Sequence, residues 1–165
     1  MKFINSFQKV IFFVAILNLL YFFIEFIAAL NIRSVSLLAD SIDFIEDASI
    51  NFLVFFAIFL TPIKRAKISI LLSVIMVLPG ITALWATFQQ IIYYNPPKPL
   101  ELSIVALGAL IVNCLCIYIL ARYRNNKGSL TKAAFLSARN DVYANIAIII
   151  AGGIIYFYPS IWPDI

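Results

Sequence analysis

The chain has 165 residues, of which 64% are hydrophobic and only 12% charged, with a formal net charge of +4 and no histidine. Soluble domains carry about 45–50% apolar and about 25% charged residues, so composition alone excludes a water-soluble enzyme or a nucleic-acid binder. The chain reads as an all-α membrane protein, a helical bundle.

A spanning helix needs about 20 predominantly apolar residues. Five stretches supply them, at residues 10–32, 36–60, 68–93, 102–121 and 133–158, joined by short links into one transmembrane domain over 1–165. The first stretch follows Lys2 and Lys9 and contains Asn18 and Glu25. It is longer than the roughly 7–15 apolar residues of a signal-peptide core, so a retained helix is expected. The second carries Asp40, Asp43, Glu46, Asp47 and Asn51. The third has Pro79-Gly80 at its middle, where a kink is expected, and Pro96, Pro97 and Pro99 end its continuation. In the fourth, beside Asn113, Cys114 and Cys116 would point about 200° apart on a helix, which suits packing rather than a shared metal or a disulfide. The fifth carries Ser137, Arg139, Asn140, Asp141 and Asn145.

The cations orient these stretches. Nine of them (Lys2, Lys9, Lys64, Arg65, Lys67, Arg122, Arg124, Lys127 and Lys132) fall on one side, and two (Arg33 and Lys98) on the other. Positive charge collects in cytoplasmic loops, so a cytoplasmic N-terminus and a chain end at the outer side are expected. The net charge of +4 follows from this bias and implies no nucleic-acid partner.

Acids within the stretches carry the functional signal. A charge at the bilayer centre costs about 2.5–3.5 kcal/mol on insertion scales, so Glu25, Asp43, Glu46, Asp47 and Asp141 need a compensating cation, proton, water or the Arg139 guanidinium. On a helix Asp40, Asp43 and Asp47 fall within about 60° of one face. Ser137, Asn140, Asp141 and Asn145 make a second polar stripe, and Asp47 and Asp141 are expected at similar depth. Two such stripes on different helices make an oxygen-lined site for a divalent cation. Buried asparagines also serve as interhelical glue, and Asn18, Asn51, Asn113 and Asn145 fit that reading as well. Arg139 either snorkels toward the cytoplasm or pairs with Glu46 or Glu25.

Several runs keep a fixed order along the chain: Asn18 and Glu25, then Ser36-Leu37-Leu38-Ala39-Asp40-Ser41 with Asp43 and Asp47, Arg65-Ala66, Asn95-Pro96-Pro97, Leu110-Ile111-Val112-Asn113, Asp141, and Trp162-Pro163-Asp164. In these the chain resembles the transmembrane part of the cation diffusion facilitator (cation efflux) family of divalent-metal/proton antiporters. The resemblance covers nearly all of the sequence. It implies that Asp43 and Asp47, with Ser137 and Asp141, form the metal-binding quartet; Ser137 stands where the family has His or Asp, a departure at which the Asn140 amide oxygen is an alternative ligand. Asp40, Asn18, Glu25, Asn113 and Asn145 are then supporting polar residues. The family's sixth helix, C-terminal dimerisation domain and histidine-rich loop between the fourth and fifth helices are not among these residues, so a fragment or a shortened member is expected.

The resulting expectation is a divalent-cation transporter, exporting metal by proton antiport in the bilayer of a bacterial inner (cell) membrane, with a homodimer implied by the family. Oxygen-only ligands favour Mn²⁺ or Fe²⁺ over Co²⁺ or Zn²⁺ as the substrate, and no cofactor is called for. The alternative is a degenerate, non-transporting relative or truncated fragment that acts through helix packing or a partner. An intramembrane enzyme lacks both a histidine and a recognisable nucleophile–base pair.

Overall fold

In the computed structural model, which describes residues 6–56, 61–123 and 129–165, five long helices run in chain order: α1 (Ser6–Ile32), α2 (Val35–Phe56), α3 (Pro62–Tyr93), α4 (Pro99–Ala121) and α5 (Ser129–Phe157). A 3₁₀ turn at Trp162–Asp164 follows. The described residues contain no strand. Lys2, residues 57–60, Arg124 and Lys127 lie outside the described residues, as do the side chains of Arg65 and Pro79.

Helix ends follow local chemistry. Thr61 caps α3, its side chain accepting from the Lys64 N–H at 3.4 Å, and Pro62 opens the helix. Pro99 opens α4 in the same manner. Proline suits the first helical position because its missing N–H has no partner to lose there. Both helices consequently start earlier than the expected 68 and 102, and α5 starts at Ser129 rather than 133. α3 remains helical through Pro79-Gly80 up to Tyr93. Arg33 and Tyr94 end α1 and α3 in the left-handed conformation, φ 58° and 45°. The Ser34 N–H reaches back to the Ala29 carbonyl at 3.0 Å, which closes α1 and turns the chain into α2 within two residues.

α1 packs along α2 and α4 along α5; α2–α5 and α1–α4 contacts join the two pairs, and α3 lies against α2. The interior has three layers. At one end Ala29, Ile32, Leu37, Leu38, Leu102, Ala106, Ile148 and Ile155 form an apolar cluster. At the other, Ile11, Val14, Cys116, Leu120, Ala134, Phe135 and Ala138 form a second. By their places along the helices, Glu25, Asp40, Asp47, Asn113, Asp141 and Asn145 lie between them, all buried. The outside is the reverse: Phe13, Leu20, Ile27, Val74, Leu84, Trp85, Ile104 and Ile150 are among many large apolar side chains left exposed. A polar interior beneath a greasy exterior belongs in lipid, where exposed apolar groups cost nothing and polar ones must find partners inside. Among the described residues three helices, Ser6–Ile32, Pro99–Ala121 and Ala134–Phe157, are long and apolar enough to cross a membrane by length and composition.

Glycine lets α4 and α5 approach closely. A methyl at Gly152 would run into the Ser103 hydroxyl and lie 3.1 Å from the Pro99 carbonyl oxygen, whereas one at Gly153 would meet nothing within 4 Å. Gly152→Ala is therefore expected to cost about 1–3 kcal/mol of overpacking. Gly153→Ala should stabilise slightly, by at most about 1 kcal/mol of helix propensity. Unfolding of the two variants in detergent checks the contrast.

Candidate metal site

α2 is held at its start by a carboxylate from the far end of the chain. Its own first turn has no acid. Asp164, buried, fills that place: Oδ1 accepts from the hydroxyls of Ser34 and Ser36, both at 2.6 Å, and Oδ2 from the Val35 N–H at 2.9 Å and Gln90 Nε2 at 2.8 Å. Ser34 in turn accepts from the Leu37 N–H at 3.2 Å. A carboxylate at a helix N-terminus meets free N–H groups and the positive end of the macrodipole. This arrangement ties α2, α3 and the chain end together.

Further along α2, Asp40 and Asp47 are buried, Asp43 is half-buried and Glu46 is exposed. The shared face of Asp40, Asp43 and Asp47 is thus partly turned inward, and Glu46 points elsewhere, as a residue about 100° away should. On α5 Asp141 is 8% exposed, Asn145 is fully buried and Ser137 is half-buried. The Ser137 hydroxyl hydrogen-bonds the Asp47 side chain. Asp47 Oδ1 has no donor. Asp141 lies within electrostatic reach of Asp47 and Asp43.

Asn140 is exposed, so Ser137 and not Asn140 is the α5 residue turned onto Asp47. Among the described residues, no three Asp, Glu, Cys or His side chains are grouped so that they could hold a metal ion. A close cluster of Asp43, Asp47 and Asp141 is thus not formed here. Like charges one helical turn apart repel, and only a cation between them would favour a closer approach.

The remaining polar residues sort themselves by partner. Asn18, Asn51 and Asn145 each donate to the carbonyl four residues back, at 3.1, 2.8 and 2.7 Å. Asn145 also crosses between helices, to Asp40 Oδ1 at 3.3 Å. Asn18 accepts from Cys116 Sγ at 3.9 Å, while the buried Asn113 Oδ1 has no donor. Cys114 is exposed and Cys116 buried, and both are free. Glu25 is fully buried and faces Asp40 from α1. Arg139 is exposed, and the one ion pair among the described residues joins Lys98 to Glu101 at 2.8 Å. The sharper expectation for Arg139, a pair with Glu25 or Glu46, is therefore corrected. Glu25 packs inside against another acid, away from the surface that Arg139 occupies.

A cavity of about 420 Å³ opens elsewhere, between Arg33, Leu38, Gln90, Tyr93 and Asn95, and no carboxylate lines it among the described residues. The latch at Asp164 and the facing of Glu25 on Asp40 were not legible beforehand. The first joins residues some 130 positions apart, and its one sequence hint is a serine pair opening a helix that has no acid of its own.

A bundle of helices with apolar outer faces and polar side chains buried inside defines an all-α membrane protein. The sequence pattern of the cation efflux transmembrane domain matches residues 11–164, and the chain belongs to that family. Among curated proteins no match is found.

Proposed function

We propose that the chain carries divalent metal cations across the membrane, with Asp47 and Asp141 as the central ligands, Ser137 as a neutral third and Asp43 as a fourth that joins when a cation is present. The observation that supports this reading is a pair of buried carboxylates on α2 and α5 within electrostatic reach of one another, the Asp47 side chain with its hydroxyl partner Ser137 and an oxygen lacking any donor among the described residues. Such a pair cannot stay anionic and empty in a low-dielectric interior, because desolvation costs several kcal/mol per ion. Either a dication or protons must occupy it. Alternation between those two occupants is metal/proton antiport, and since coupled carboxylates titrate as a unit, the protons belong to the pair rather than to one Asp. Oxygen donors favour Mn²⁺ or Fe²⁺ over Co²⁺ or Zn²⁺. The excess of lysine and arginine at the α1 start, the α2–α3 link and the α4–α5 link supports a cytoplasmic N-terminus and transport outward.

A second reading, a non-transporting relative that works through helix packing, is favoured by the lack of a ready three-carboxylate group among the described residues. Proteoliposomes loaded with a pH dye separate the two. A Mn²⁺ gradient is expected to drive an opposite proton flux well above that of protein-free vesicles. Flux equal to protein-free vesicles would leave the packing role standing instead.

A further inference from the structure

Two turns along α2 from Asp47, toward the Asp164 latch, there is another set of oxygens, most of which have no donor among the described residues. Glu25 of α1 is fully buried and neither Oε1 nor Oε2 has a donor. Its carboxyl lies within hydrogen-bonding reach of that of Asp40, 3% exposed, whose Oδ2 has no donor either, so the two acids need a proton or a cation between them. Asn145 of α5, fully buried, gives its Nδ2 to Asp40 Oδ1, and its own Oδ1 is unpartnered. The Tyr21 hydroxyl, close to both acids, donates to the Val105 carbonyl at 2.6 Å and so offers them only its oxygen. No lysine or arginine pairs with either acid among the described residues.

The grouping thus holds acceptors from three helices and almost no donors. Buried polar atoms are almost always bonded, so several orphaned oxygens beside one another need an external partner. The geometry points to a second cation-binding station formed by Glu25, Asp40 and the Asn145 amide oxygen, with the Tyr21 oxygen at its edge, taking a hard divalent cation of the Mn²⁺ or Mg²⁺ type. It is separate from the Asp47/Asp141 site, since seven helical residues span about 10 Å, too far for one ion to bridge. A cation resting there lies nearer the cluster of Ala29, Leu38 and Ile155, on the way between the central site and that end of the bundle.

The station rests on the reading of the chain as a carrier of divalent cations, and its test keeps the two apart. The whole chain in detergent is titrated with Mn²⁺ by equilibrium dialysis. Wild type is expected to bind two ions per chain, Glu25→Gln/Asp40→Asn one, and Asp47→Asn/Asp141→Asn one. Wild-type stoichiometry in Glu25→Gln/Asp40→Asn overturns the station and leaves the central site untouched. That outcome identifies a shared proton as what holds the two acids together. Loss in that variant combined with full binding in Asp47→Asn/Asp141→Asn upholds the station and removes the central assignment instead. The isosteric changes take away facing negative charge and are expected to leave metal-free thermal unfolding unchanged or raised. Glu25→Gln alone, which keeps the side-chain shape and can donate to Asp40, should also lose the second ion; retention of both ions by it counts against the station equally.

Discussion

Replacing either Asp47 or Asp141 by alanine is expected to bring Mn²⁺-driven flux down to that of empty vesicles, a fall of roughly two orders of magnitude or about 2.7 kcal/mol. The two carboxylates are buried on different helices within electrostatic reach of one another, and in the proposed site each would be half of one binding unit rather than an independent ligand. Ser137→Ala should be milder, within about tenfold, because it removes one neutral oxygen and the hydrogen bond that aims Asp47. Stability should move much less. With no cation present protons already neutralise the buried pair, so taking away one carboxyl breaks no ion pair, and neither alanine variant should unfold much earlier than wild type. Flux lost together with stability would indicate a structural role; flux lost with stability kept is the signature of a transport ligand. Retained flux in both alanine variants would exclude the site.

The largest loss of stability is expected from a residue with no part in binding. Asp164→Ala strands the hydroxyls of Ser34 and Ser36, the Val35 N–H and the Gln90 amide, all of which now end on one carboxylate. Removing one partner from a buried charged network costs about 3–5 kcal/mol, because the groups left behind are desolvated and unpaired. Asp164→Asn, which keeps an acceptor but brings an N–H toward other donors, should fall between. Chemical unfolding in detergent reads the order wild type, Asn, Ala. Indifference to both changes would mean that the start of α2 holds without its distant cap.

How much of this could be read from the residues depended on the range of the interaction. The five helices were legible from their long apolar runs, although among the described residues only those of α1, α4 and α5 are long and apolar enough to cross lipid. Their starts were not, since hydropathy registers where greasy residues begin, whereas Pro62 and Pro99 allow the helix to begin in the polar approach to it. The face shared by Asp40, Asp43 and Asp47, and its counterpart through Ser137 and Asp141, follow from helical periodicity and are local. What periodicity could not supply is which stripe looks at which. Nothing in the spacing of Glu25 tells that it faces Asp40 rather than Arg139, and nothing near Asp164 announces that its carboxylate closes a helix begun 130 residues earlier. The family likeness was carried by short runs in order, and it extended over the same stretch, 11–164, that the cation efflux pattern covers.

The two apolar clusters that bracket the buried acids carry a consequence for energy conservation. A file of carboxylates running clear through the bilayer would be a wire for protons and would discharge any gradient across it. Here the buried acids stop short of both ends of the bundle, where apolar clusters with Ala29, Leu38 and Ile155 on one side and Ile11, Leu120 and Phe135 on the other offer an ion no oxygen ligand. For the cation carriage proposed above, passage would have to breach one cluster while the other stays shut, which would insulate the membrane against a proton leak.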